Sequence, residues 1–167
     1  MEWTIVRIAI LSAFVLLLLS AGIEDARTRE IADRKNIAIA LIAPLWWWAS
    51  GVPVWPDMAM RIAVAITVFL LFAQAFRIGM MGGGDVKMIA AIALWLPLPP
   101  LFRMMLLMSI AGGIVTVAML IDHRLRHRKR DERDEDAPAI EVPYGVAIAI
   151  AALLVLREPI FNPFPNT

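Results

Sequence analysis

Residues 3–23 read WTIVRIAILSAFVLLLLSAGI, an apolar run broken only by Arg7. At about 1.5 Å of rise per residue, such a run is long enough to cross a hydrocarbon layer of about 30 Å as one helix. It reads as a retained helix and not as a secretory signal peptide. Glu2 precedes it without a basic cluster, and five further apolar blocks follow. These blocks occupy residues 37–54, 58–76, 86–97, 101–121 and 142–156. The second contains Pro44 and ends near Trp46, Trp47 and Trp48, which suits the lipid headgroup level. The fourth, which ends at the turn holding Pro97, Pro99 and Pro100, and the sixth are short for a full crossing. The fourth is therefore expected to be incomplete or shielded by protein. The pattern predicts an all-α, polytopic membrane protein with about six transmembrane helices. It forms one membrane domain over residues 1–167, with a charged loop at about 122–141.

Composition agrees. Hydrophobic residues make up 60% of the chain and charged residues only 19%, too few to cover the surface of a water-soluble domain of this size. Net charge is +1, so no bulk field favours nucleic acid, and no nucleic-acid partner is expected. Cysteine is absent, which excludes disulfides, thiolate metal sites and a cysteine nucleophile.

The charges are segregated. Between the first and second blocks lie Arg27, Arg29, Arg34 and Lys35, and between the third and fourth lie Arg77 and Lys87. Between the fifth and sixth lie Arg124, Arg126, Arg128, Lys129, Arg130 and Arg133. Twelve basic residues thus fall on one side, against Arg7, Arg61, Arg103 and Arg157 on the other. The excess of basic residues in cytoplasmic loops then places these three loops in the cytoplasm and both termini in the periplasm. Six spans satisfy that parity and five do not. The run from Arg124 to Arg133 is suited to anionic lipid headgroups.

Few acids sit beside the apolar blocks. Asp25 follows the first, and Asp85 opens the fourth within Gly82-Gly83-Gly84-Asp85-Val86-Lys87. Both fall at the cytoplasmic end by the charge count. Two carboxyl groups brought together where the dielectric is low cannot both ionise cheaply, so they share a proton. Such a pair can activate water with one member and polarise a carbonyl with the other. Glycines at the boundary loosen the helix and let another backbone approach. The structural readings compete: glycines also serve close helix packing, and an acid at a helix start also caps it. The joint occurrence of both acids on one side favours chemistry. Glu24, Glu30 and Asp33 share the first loop and are rival partners for Asp85. His123 and His127 are four apart, but no acid at suitable spacing completes a metal site, and they read as part of a solvated basic loop.

The segment Asp25-Ala26-Arg27-Thr28-Arg29-Glu30-Ile31 resembles the first aspartate motif of the type IV prepilin peptidases. Gly82 to Lys87 resembles their second, the GxGD motif shared with presenilin-type intramembrane proteases. Pro143-Tyr144-Gly145 resembles an element opening the last helix of the short members associated with tight-adherence (Flp) pili. The resemblance implies an aspartic endopeptidase that removes a short basic leader from Flp-type prepilins at the cytoplasmic face of the inner membrane. Asp25 and Asp85 would be catalytic, Gly82 and Gly84 would admit substrate, and Lys87 would steady the carboxylates or the oxyanion. No metal or cofactor is implied. The family's Ile-Pro-Asn is here Ile31-Ala32-Asp33, a departure that bears on the local loop and on substrate choice. Longer members carry paired cysteines and methylate the new N-terminus with S-adenosylmethionine. This chain has no cysteine, and methyl transfer is not expected of it. Two other classes fit part of the pattern. They are a small proton- or ion-coupled transporter, which also uses membrane carboxylates, and a non-catalytic scaffold of pilus assembly.

Overall fold

The computed structural model describes residues 2–127 and 144–157. These residues form six α-helices and no strand: α1 (Glu2–Thr28), α2 (Asp33–Ala49), α3 (Ala59–Arg77), α4 (Gly83–Ala93), α5 (Leu98–His127) and α6 (Tyr144–Val155). A short kinked segment, Val54–Met58, with Trp55 in an extended conformation, leads into α3. Among the described residues three stretches are long and apolar enough to cross a membrane: Trp3–Thr28, Val54–Arg77 and Leu98–Asp122.

The shorter helices have a different job. At 1.5 Å per residue, α4 with its 11 residues reaches only about 16 Å. It packs against α2, α3 and α6, and Asp85, Val86, Met88, Ile89, Ala91, Ile92 and Ala93 are all buried. A helix too short to span is tolerated at membrane depth when protein encloses it, as expected from its short apolar block. The other short helix, α6, packs against α1, α4 and α5. Small residues line it (Gly145, Ala147, Ala149, Ala151 and Ala152 are buried), which lets the neighbouring backbones come close.

Trp95, at the far end of α4 from Asp85, anchors the core. It is fully buried and stacks on Phe14 of α1 with centroids 3.9 Å apart and rings 6° from parallel. Its indole N–H donates to the Ile39 carbonyl of α2 at 3.0 Å. Trp47 returns the bond, donating from α2 to the Leu94 carbonyl at 2.9 Å. Trp46 and Trp47 are therefore core residues, and of the three consecutive tryptophans only Trp48 is exposed. Neighbouring residues on a helix point about 100° apart, so three in a row cannot share one environment. Trp95→Ala is expected to cost about 3–5 kcal/mol through the lost ring and the cavity it leaves. A lowered thermal midpoint in detergent checks this.

Two arginines inside apolar blocks close the same end of the bundle. Arg7 Nε donates to the Ala49 carbonyl at 2.7 Å, and Arg61 Nη1 donates to the Trp95 carbonyl at 2.8 Å. Each cation meets carbonyls freed at or just beyond the end of a helix, α2 and α4 respectively, which suits the negative pole of the helix dipole. Residues 128–143, which contain most of the expected charged loop and Pro143, lie outside the described residues; α5 itself continues to His127.

Candidate active site

The end of α1 and the starts of α2, α4 and α6 meet at the opposite end of the bundle. There α1 continues past its apolar run, so Asp25 lies inside the helix near its C-terminus and not in a following loop. Arg29, with φ of 59°, turns the chain after the helix, and its N–H donates to the Asp25 carbonyl at 2.9 Å. A left-handed residue is a common way to stop a helix, although glycine is the usual choice. The loop then folds back. Glu24 accepts the Ala32 N–H at 3.1 Å and forms an ion pair with Lys35 at 3.0 Å.

Asp25 is only 4% exposed, and its Oδ2 accepts the Val146 N–H at 3.1 Å. Val146 is in the first turn of α6, so the carboxyl faces a helix N-terminus, where unpaired amides and the dipole both favour an acceptor. Gly145 makes that approach possible. A Cβ there would lie 2.8 Å from Asp25 Cγ and 2.6 Å from Ile31 Cδ1. Tyr144 opens the helix, and its ring lies against Gly112 of α5.

Asp85 occupies the third position of α4, with Gly82 as the N-cap. Its carboxyl turns back toward Gly82. A Cβ at Gly82 would lie 3.0 Å from Asp85 Oδ2, so a side chain there would crowd the carboxyl. Gly84 faces the other way, against the backbone and Cβ of Ile31, where an added Cβ would find atoms at 3.2–3.4 Å. The glycines are thus the cap and first turn of a regular helix. They are not an unwound segment, and their value lies in close approach.

Asp85 is 8% exposed, and Asp25 lies near enough for the charge on one to act on the other. The rival acids are engaged elsewhere or exposed. Glu24 holds the loop and Lys35, Asp33 is bonded to Lys87, and Glu30 lies at the surface. Lys87 Nζ contacts both Asp33 oxygens at 2.7 Å, with both side chains substantially exposed. An exposed ion pair is worth about 0–1 kcal/mol, and 1 kcal/mol is about a fivefold rate effect. Lys87→Ala is therefore expected to keep activity within about fivefold of wild type. A loss of a hundredfold in a cleavage assay would show that Lys87 leaves Asp33 to act on substrate. No cluster of three or more metal-ligating side chains occurs among the described residues.

One residue at this end escaped the sequence reading. Asn36 is 3% exposed, and its Nδ2 donates to the Gly84 carbonyl at 3.0 Å. The helix α2 begins at Asp33, four residues before the apolar run at Ile37, so Asn36 lies inside it. The signal was its register: Asn36, Ile39, Ala43 and Trp47 form the buried stripe of α2.

The described residues form a helical bundle with membrane-length apolar helices and two buried carboxyls at one end. Residues 12–117 match the type IV leader peptidase family. The chain belongs to that family. The matched span takes in Asp25 and Gly82 to Lys87 and stops before α6. No curated protein and no solved structure matches the chain.

Proposed function

We propose that this protein is an intramembrane aspartic endopeptidase that removes the leader from Flp-type prepilins, with Asp25 and Asp85 as its catalytic pair. The observation that carries this reading is the burial of both acids at the same end of the bundle, within electrostatic reach of each other, while Glu24 and Asp33 are occupied elsewhere. One carboxylate takes a proton from a water molecule held between them. The other, protonated, donates to the scissile carbonyl oxygen as the water oxygen bonds to its carbon. Collapse of the tetrahedral intermediate breaks the C–N bond, and the departing nitrogen takes a proton from the pair. Both carboxyls are nearly sealed from solvent, so a peptide reaches them only after the surrounding helix ends part.

In this reading the six-helix bundle sits in the inner membrane with both termini in the periplasm, and the short α4 and α6 are shielded by the longer helices. The end holding Asp25 and Asp85 faces the cytoplasm, and the basic loop after α5 meets anionic lipid. The substrate class rests on the Pro143-Tyr144-Gly145 element. Purified protein in liposomes is expected to release the leader from a Flp-type prepilin, seen by mass as two fragments. Adding S-adenosylmethionine is expected to leave the new N-terminus unmethylated. Failure to cut several such prepilins, with cleavage of another class of pilin-like precursor, would overturn the substrate assignment.

A further inference from the structure

Among the described residues only three polar or charged side chains are buried, namely Asp25, Asp85 and Asn36. The third lies at the same end as the first two. Its amide donates to the carbonyl of Gly84, the residue directly before Asp85. Its Oδ1 is buried and has no hydrogen-bond partner among the described residues. Leaving an acceptor unmatched costs about 1–3 kcal/mol, so Asn36 is a poor choice for stability alone. The other residues in its stripe on α2 are apolar or aromatic, and leucine would fit that pattern. A buried polar group with a net cost calls for a role outside stability.

Geometry supplies one. Three side-chain-to-carbonyl bonds join α2 to α4 and the turn that follows it. Trp47 to Leu94 lies at the far end, Trp95 reaches back to Ile39 one turn beyond Asn36 on α2, and Asn36 to Gly84 lies in the first turn of α4. Ile31, just before α2, packs on Gly84 from the same side. We propose that Asn36 is a positioning residue for the peptidase reaction. It fixes the rotation and depth of the first turn of α4, and so the placement of Asp85 relative to Asp25. It does not touch substrate. The inference rests on the reading of Asp25 and Asp85 as the catalytic pair.

Misplacing a catalytic group by about 1 Å can cost a hundredfold in rate. A purely structural bond between helices, when lost, lowers stability and leaves turnover alone. The test therefore compares two variants of the same helix interface, Asn36→Leu and Trp47→Phe, in purified enzyme acting on prepilin in liposomes. Asn36→Leu is expected to lower kcat by about 10- to 100-fold with KM within about twofold. Its thermal midpoint should stay unchanged or rise, because the unmatched acceptor is gone. Trp47→Phe should show the reverse, a lower midpoint with kcat near wild type. Wild-type kcat in Asn36→Leu would overturn the proposal. So would a joint fall in kcat and thermal midpoint in Asn36→Leu, because partial unfolding would then account for the lost rate. Asp85→Asn, run alongside, separates the two levels: if it is dead while Asn36→Leu is fully active, only the positioning role fails. If Asp85→Asn itself turns over at the wild-type rate, the peptidase assignment fails with it.

Discussion

Gly145→Val is expected to reduce leader cleavage by at least a hundredfold while the protein still inserts in the membrane. The first carbon of any side chain at this position meets Ile31 Cδ1 at 2.6 Å and Asp25 Cγ and Cβ at 2.8 and 2.9 Å. Contacts that short cannot persist, so α6 must withdraw from α1 or Asp25 must turn away. Either movement stretches the bond between the Val146 N–H and Asp25 Oδ2. The stability cost is that of overpacking, about 1–3 kcal/mol, which a bundle with three long apolar helices should survive. The rate cost is larger because the carboxyl proposed as catalytic is misplaced. Valine, being branched at Cβ, should be worse than alanine, so the two variants form a graded series. Gly145→Ala and Gly145→Val with wild-type rates would show that α6 does not set the position of Asp25. A rate assay combined with a thermal midpoint separates the local effect from unfolding.

The second large effect concerns the two acids themselves. Asp25→Asn and Asp85→Asn each keep the shape of the side chain and remove the ionisable proton. General acid–base catalysis by one group contributes about 10²- to 10⁴-fold, and each single variant should lose at least that much. Groups that act as a unit are strongly non-additive. The double variant should therefore be no slower than the slower single one. Multiplying losses would mean that the two carboxyls act on separate steps. Asn at position 25 keeps an acceptor for the Val146 N–H, so the start of α6 should remain in place.

The long apolar blocks were readable because such a run declares its environment by length and composition alone. They reappear as α1, α3 and α5. The helix ends were misjudged where charge and helix coincide. Residues Glu24 to Thr28 extend α1, and Asp33 to Asn36 begin α2. An acid in the first turn of α2 and a base in the last turn of α1 suit the helix dipoles, yet hydropathy counts them as loop. The short helices α4 and α6 are stabilised by burial against their neighbours, which no single segment reveals. Asp25 and Asp85 stood out because isolated acids at the edge of an apolar run are rare. Their rivals were set aside only by three-dimensional contacts, such as Glu24 with Lys35 and Asp33 with Lys87. The Asp33–Lys87 pair also gives a physical setting for the departure at Asp33, because the acid that replaces the usual amide has a cation beside it. Asn36 stayed hidden because its significance depends on a carbonyl 48 residues away.

The measurement that bears most directly on the central claim uses liposomes holding only this protein and a Flp-type prepilin. Leader release is followed by mass for wild type, Asp25→Asn and Asp85→Asn at equal membrane content. Release by wild type and none above background from either variant is expected. Cleavage by either variant at the wild-type rate would contradict it, because that residue would then stand outside the chemistry and the paired-carboxyl site would be lost.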